Sequence, residues 1–423
     1  MAEATTALGT LPSDSSARVE SVLRFAASRG ISDVHLKAQQ RPLYRRNGVL
    51  ISRRDEALLD PEELLAVAAQ ILPAAEKAAW QARGQVTFLL TLIGAGRFRV
   101  TMYLVRGVPT LAIRVLAPRV LTVRELNLPK VTHGWSAVAQ GLILVIGPPG
   151  AGRTSTWLGL IEGINTTSAV ARHVVTLEGP VEQLLDDKVA VIHQREIGKD
   201  VASLTEASLF LARQDADVVG LADVKPDDLP LALELADARH LVIASTTGSS
   251  VVSVLVRLVE SAPRDQRQLL RRRLARSLRG AMFQVLLPSA DGKGVVPACE
   301  VLTLAPSVVE LLRSDRDIEE LQLLMESPQG RQYGMCGMEQ ALQDLVQLGV
   351  VTLDVAQTRS RDPEAFRAKM AMVRSTAPVV PIGAAGSLDG QMAGSFAPLG
   401  GTPQRTPSIT GVHPIAAPEP FKP

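Results

Sequence analysis

Aromatic side chains are scarce in this chain: three Trp, three Tyr and eight Phe among 423 residues, 3% of the total. Proteins that stack single-stranded bases need aromatic platforms in a basic groove. A formal net charge of only +2 supplies no such groove, so composition argues against a nucleic-acid motor and against binding a membrane surface by charge. Two cysteines, Cys299 and Cys336, form neither a CxxC pair nor a metal-ligand spacing. They read as reduced, mostly buried thiols of a reducing compartment. No apolar run approaches the ~18–20 residues that span a bilayer. The N-terminal stretch lacks the charged segment followed by an apolar core that marks a secretory signal. The expected location is the cytoplasm, with any membrane contact made through partners.

What is present is a chain that is 46% hydrophobic, long enough for roughly two or three domains with sizeable cores. Residues 1–17 are Ala/Thr/Ser-rich and are expected to be flexible. Helical spacing of Val19, Val22, Leu23 and Phe25 is followed by the alternating stretch 31–37 and by Asn47-Gly48, a hairpin-turn signal. Pro61-Glu62-Glu63 opens a helix with proline and acids in its first turn. Strands are predicted near 87–92, 97–103 and 112–116, giving a compact α+β domain over 18–118. Residues 119–140 are expected to link it to a second domain over 141–375, where strands and helices alternate as in a parallel sheet. Beyond about 251 helical patterns dominate, broken near Leu286-Leu287-Pro288 and by a short strand near 295–302. Residues 376–423, Pro/Gly/Ala-rich and almost uncharged, read as a disordered tail.

The most informative stretch is GLILVIGPPGAGRTST, Gly141 to Thr156. A continuous apolar run, Leu142 to Ile146, suits a fully buried strand. It ends in Gly147-Pro148-Pro149-Gly150-Ala151-Gly152-Arg153-Thr154-Ser155, which fits the phosphate-loop pattern G-x-x-x-x-G-K-[ST] except that arginine replaces lysine. Glycines there let the backbone N–H groups cradle an anion at a helix N-terminus. Thr154 is placed to offer its hydroxyl to Mg²⁺, and the expected ligands are ATP and Mg²⁺.

More distant motifs, in order, carry a resemblance. Ser32-Asp33-Val34-His35-Leu36, Arg97-Phe98-Arg99-Val100, Leu128-Pro129, the Gly334-Met335 to Leu345 segment and Asp362-Pro363-Glu364-Ala365-Phe366 resemble the type IV pilus retraction ATPases (the PilT family) of the secretion-ATPase superfamily. The likeness covers roughly residues 19–367. It implies an α/β fold: a RecA-like P-loop NTPase domain with a C-terminal helical region, preceded by a smaller α+β (PAS-like) domain. It also implies a ring, usually hexameric, formed with itself or a paralogue and acting on an inner-membrane pilus platform protein. Arg97, Arg99 and Arg114 are then candidates to reach a nucleotide on a neighbouring subunit. Glu178, Glu182 and Asp223 fall at the family's catalytic carboxylates, with Asp223 and Thr154 near the metal.

Four positions depart from the family pattern. Arg153 stands for lysine, Gly179 for an aspartate in the acidic box, Asp223 for glutamate, and Thr247 for a histidine. An arginine fork is larger than a compact ammonium, and a carboxylate displaced by about 1 Å can cost on the order of 100-fold in rate. The resemblance thus implies a nucleotide-binding ring ATPase of a type IV pilus, twitching-motility or related secretion system with weak or altered hydrolysis. The alternative is a catalytically degenerate regulatory subunit that binds nucleotide and modulates an active paralogue.

Overall fold

The structure, a computed structural model, describes residues 6–8, 14–46, 48–211, 213–292 and 294–376. The turn residue Asn47, the expected tail from 377 onward and most of residues 1–17 lie outside them. Among the described residues, fourteen strands form two seven-stranded sheets.

The first sheet takes β1 (Thr6–Leu8), β2 (Asp33–Leu36), β3 (Leu43–Arg46), β4 (Val49–Ser52), β5 (Gln85–Leu92), β6 (Gly96–Val105) and β7 (Val108–Val115). Their spatial order is β1-β5-β6-β7-β2-β3-β4. Every pairing is antiparallel except β1 with β5. Alternate residues of β5 and β6 (Val86, Phe88, Leu90; Phe98, Val100, Met102) enter one core, the period-2 pattern of a sheet covered on one face. The helix Pro61–Ile71 adds Leu64, Val67 and Ile71 to that core. Its start follows from PEE: Pro61 occupies the first turn, and Asp60 and Glu63 form a reciprocal capping box.

The second sheet runs β10 (Val191–Glu196), β9 (His173–Glu178), β11 (Val218–Val224), β12 (Leu241–Thr246), β8 (Gly141–Ile146), β13 (Leu278–Pro288) and β14 (Val295–Thr303), in that spatial order. All neighbours are parallel except the last pair. Every residue of β8 is buried, as expected for a strand with helices on both faces. The region after 251, expected to be mostly helical, instead contains the eleven-residue strand β13, hairpinned onto β14. Arg279 to Leu287 is buried on both faces almost throughout, and such a run has no period to separate strand from helix.

Residues 119–140 pack rather than merely connect. Leu126, Leu128 and Trp135 join the core beneath the helix Arg153–Thr167. Gly280 lets this happen: a Cβ there would stand 2.4 Å from the Trp135 ring.

Candidate functional site

In a doubly wound sheet, ligands bind beyond the carboxyl ends of the parallel strands, and the predicted site residues gather there. After Ile146 the chain turns through Gly147–Gly152 into the helix Arg153–Thr167. Gly150 and Gly152 have φ near +80°, a conformation that side chains rarely tolerate. Gly147 is required for a different reason. A Cβ there would lie 2.7 Å from the Gln284 carbonyl oxygen and 2.9 Å from the Ala151 Cβ.

The helix begins at Gly152 with no side-chain cap. Its first internal hydrogen bond runs from the Thr156 N–H to the Gly152 carbonyl, so the N–H groups of Arg153, Thr154 and Ser155 stand outside the helical ladder. Uncapped donors at the positive end of a fifteen-residue helix suit an anion. Thr154 and Ser155 are exposed at that turn. The residues present therefore fit a phosphate group.

Two further contacts fix the loop. Gln284, buried on β13, donates from Nε2 to the Ala151 carbonyl (2.6 Å) and accepts at Oε1 from the Thr156 hydroxyl (2.8 Å). Sequence reasoning missed this residue; its only trace is a lone amide inside Met282-Phe283-Gln284-Val285-Leu286-Leu287.

Arg153, whose side chain is 12% exposed, places Nη1 2.8 Å from Asp223 Oδ1, an ion pair without hydrogen-bond alignment. Asp223 itself is 74% exposed. It sits near the end of β11 where the register with β12 shifts, and its φ is +51°. A left-handed non-glycine residue is a local strain of the kind that clusters at functional sites. The Asp223 N–H donates to Ser245 Oγ at 2.8 Å, which holds the bend. Two of the four departures from the family pattern thus meet each other.

Glu178 ends β9 and is only 2% exposed. Burial pushes its carboxyl up to about 7, against hydrogen bonds from Thr176 and Gln194 that pull the other way. A carboxyl poised near neutrality can take or release a proton. Gly179 is exposed, and a Cβ there would touch nothing within 4 Å. Glu182 pairs with Arg99, and Arg97 donates to the Val181 carbonyl at 3.3 Å. Two strand arginines of the first sheet therefore grip the loop after Glu178 in their own chain. Arg114, paired with Arg99 across β6 and β7 and so on the same face of the sheet, instead bonds Asp33, at 3.0 Å. Thr247 lies just beyond β12, where Gly248 is wedged: a Cβ at 248 would come 2.3 Å from Val254 and 2.8 Å from Ile146. Among the described residues, no three His, Cys, Asp or Glu side chains converge as a metal cage.

The family model for the Type II/IV secretion system protein matches residues 15–369. The Type IV pilus retractation ATPase PilT of Pseudomonas aeruginosa is 27% identical over 349 residues, spanning 82% of this chain and 99% of that protein. A twitching motility protein of Neisseria gonorrhoeae is 28% identical over 309 residues, 73% of this chain and 81% of its own. The crystal structure of the pilus retraction motor PilT with bound ADP superposes with a TM-score of 0.72 at 29% identity, covering 83% of this chain and 99% of that one. The Legionella pneumophila ATPase DotB shares the fold, with a TM-score of 0.70 at 19% identity.

Proposed function

This chain belongs to the type II/IV secretion system protein family, and from that membership we propose that it is a PilT-like ring ATPase of a type IV pilus or related secretion machine, weak or altered in hydrolysis. The observation that carries the reading is the phosphate loop: glycines forced by left-handed backbone and close approach, an uncapped helix start, and a guanidinium beside it. ATP supplies a transferable phosphoryl group, and the protein's part is to bind, orient and neutralise.

The N–H groups of Gly150 and of residues 152–155 would hold the phosphates, that of Ala151 being donated to the Pro148 carbonyl at 3.2 Å. Arg153 would turn from Asp223 to reach them. The Thr154 hydroxyl and the Asp223 carboxylate would hold Mg²⁺, since Mg²⁺ is usually bound through one or two protein groups together with phosphate oxygens. Glu178 would hold a proton near the reaction, and Arg99 would keep Glu182 in place beside it. Arg97, Arg99 and Arg114 could serve a neighbour's nucleotide only by leaving the contacts they make in their own chain. Assembly into a ring, and contact with an inner-membrane platform protein, belong to the same proposal. Among the described residues no helix is long and apolar enough to cross a membrane.

A specific observation favours the regulatory alternative. The Arg153–Asp223 pair occupies both the phosphate cation and the carboxylate nearest it. Calorimetric titration with ADP and ATP, steady-state hydrolysis and solution mass on one preparation separate the readings. Magnesium-dependent turnover from a ring-sized species, abolished in Thr154→Ala, supports the motor. Tight binding without turnover above that variant supports the regulatory subunit. No binding of either nucleotide refutes both.

A further inference from the structure

We propose that Gln284 is a positioning residue for the phosphate loop: it sets the direction of the Gly152 N–H and so the loop's affinity for a nucleotide's phosphates. The inference rests on the nucleotide-binding reading for its ligand, though not for its geometry.

β13 runs parallel to β8 with Phe283 paired to Ile146, so Gln284 stands level with the start of the loop. Its side chain is buried and both of its polar atoms are used. The amide's orientation is fixed by chemistry. The Ala151 carbonyl can only accept, so the nitrogen must face it, which leaves Oε1 for the Thr156 hydroxyl to donate to. One side chain thereby ties the crown of the loop to the first turn of the following helix.

In a trans peptide the carbonyl and the next residue's N–H point in opposite directions. Drawing the Ala151 carbonyl inward to Gln284 therefore turns the Gly152 N–H outward, to the open side of the loop. Gly152 at φ +81° has no side chain to resist the opposite flip. Gln284 supplies the restraint that the glycine lacks. A donor held in place before the anion arrives needs no reorganisation when it binds.

Two near-isosteric variants test this. Gln284→Glu keeps an acceptor for Thr156 but opposes a carboxylate to the Ala151 carbonyl. Gln284→Met removes both bonds and keeps the bulk. Amide hydrogen exchange is followed on the full chain without nucleotide, and ADP affinity and thermal midpoint are measured alongside. The expected result is faster exchange in both variants at Thr156, whose N–H donates to the Gly152 carbonyl. ADP should bind roughly 10-fold more weakly in Gln284→Met and weaker still in Gln284→Glu, on the scale of one or two lost hydrogen bonds. Adding Thr156→Val to Gln284→Met should cost less than the two changes summed. A lowered thermal midpoint with ADP affinity unchanged would mean a purely structural glutamine and would overturn the proposal. So would unchanged exchange at Thr156 in both variants. If the parent chain binds no ADP, the nucleotide reading fails, while the exchange data still decide the role of Gln284 in the loop. Should Gln284→Glu not fold, Gln284→Met alone separates a positioning glutamine from a structural one by the same two measurements.

Discussion

Replacing Asp223 by Asn removes the charge that holds Arg153 while changing little else. The residue's left-handed backbone suits Asn at least as well as Asp, and the bond to Ser245 comes from the backbone N–H, which survives. The magnitude follows from exposure. Arg153 is 12% exposed but Asp223 is 74% exposed, so solvent screens the carboxylate and the pair is worth ~0.2–1 kcal/mol, as exposed ion pairs are. A phosphate that recruits Arg153 must displace the carboxylate at that cost. In EDTA, where no metal involves Asp223, Asp223→Asn should therefore bind ADP roughly 1.5- to 5-fold more tightly than the parent. The gain should shrink as ionic strength rises. With excess Mg²⁺ it should shrink further or reverse, because the same carboxylate would then assist the metal. Isothermal titration in the two buffers reads both arms. Weaker binding by Asp223→Asn in EDTA would refute the competition argument, and equal binding at low salt would show that Arg153 does not engage phosphate.

Four other expectations are independent of that pair's strength or build on it. Arg153→Lys should raise magnesium-dependent hydrolysis roughly 3- to 10-fold if the bulky fork limits phosphate contact; no gain would place the limit at Gly179, Asp223 or Thr247. Gly179→Asp, entering open space on an exposed loop, should leave unfolding stability within ~0.5 kcal/mol, and a larger loss by denaturant titration would contradict the reading of that loop. Glu178, raised from 4.5 to about 7 in the folded chain, contributes stability that is complete below about pH 4.5 and lost as pH rises through about 7. At 1.36 kcal/mol per pH step this is on the order of 3 kcal/mol, so the difference in stability between Glu178→Gln and the parent should grow in the variant's favour from pH 5 to pH 8. Gly280→Ala should cost ~1–3 kcal/mol by forcing a methyl into the Trp135 ring, read as a lower thermal midpoint.

The parts of the fold visible in sequence were those with a local signature. β8 is a five-residue apolar run closed by glycines, and the helix at 61 carries its own capping box. β13 was hidden because burial on both faces erases the alternation that betrays a strand. At the site, the loop glycines were legible from motif spacing, and Glu178 and Asp223 only through the family resemblance. Their relations were not. Arg153 and Asp223 are separated by a helix and two strands, and only the parallel order β9-β11-β12-β8 brings their strand ends to the same edge. Gln284 was out of reach for the complementary reason. A buried amide satisfied by a loop 133 residues earlier has no pattern of its own in the chain.

The grip of Arg97 and Arg99 on residues 181 and 182 makes the first sheet a handle on the chemistry. β6 cannot slide against the second sheet without either breaking these contacts or dragging the loop that begins one residue after Glu178. A displacement of β6 thus bears on residues 181 and 182, three and four positions after the buried carboxyl. In reverse, a shift of residues 181 and 182 meets two polar contacts that lead into one strand of the seven-stranded layer.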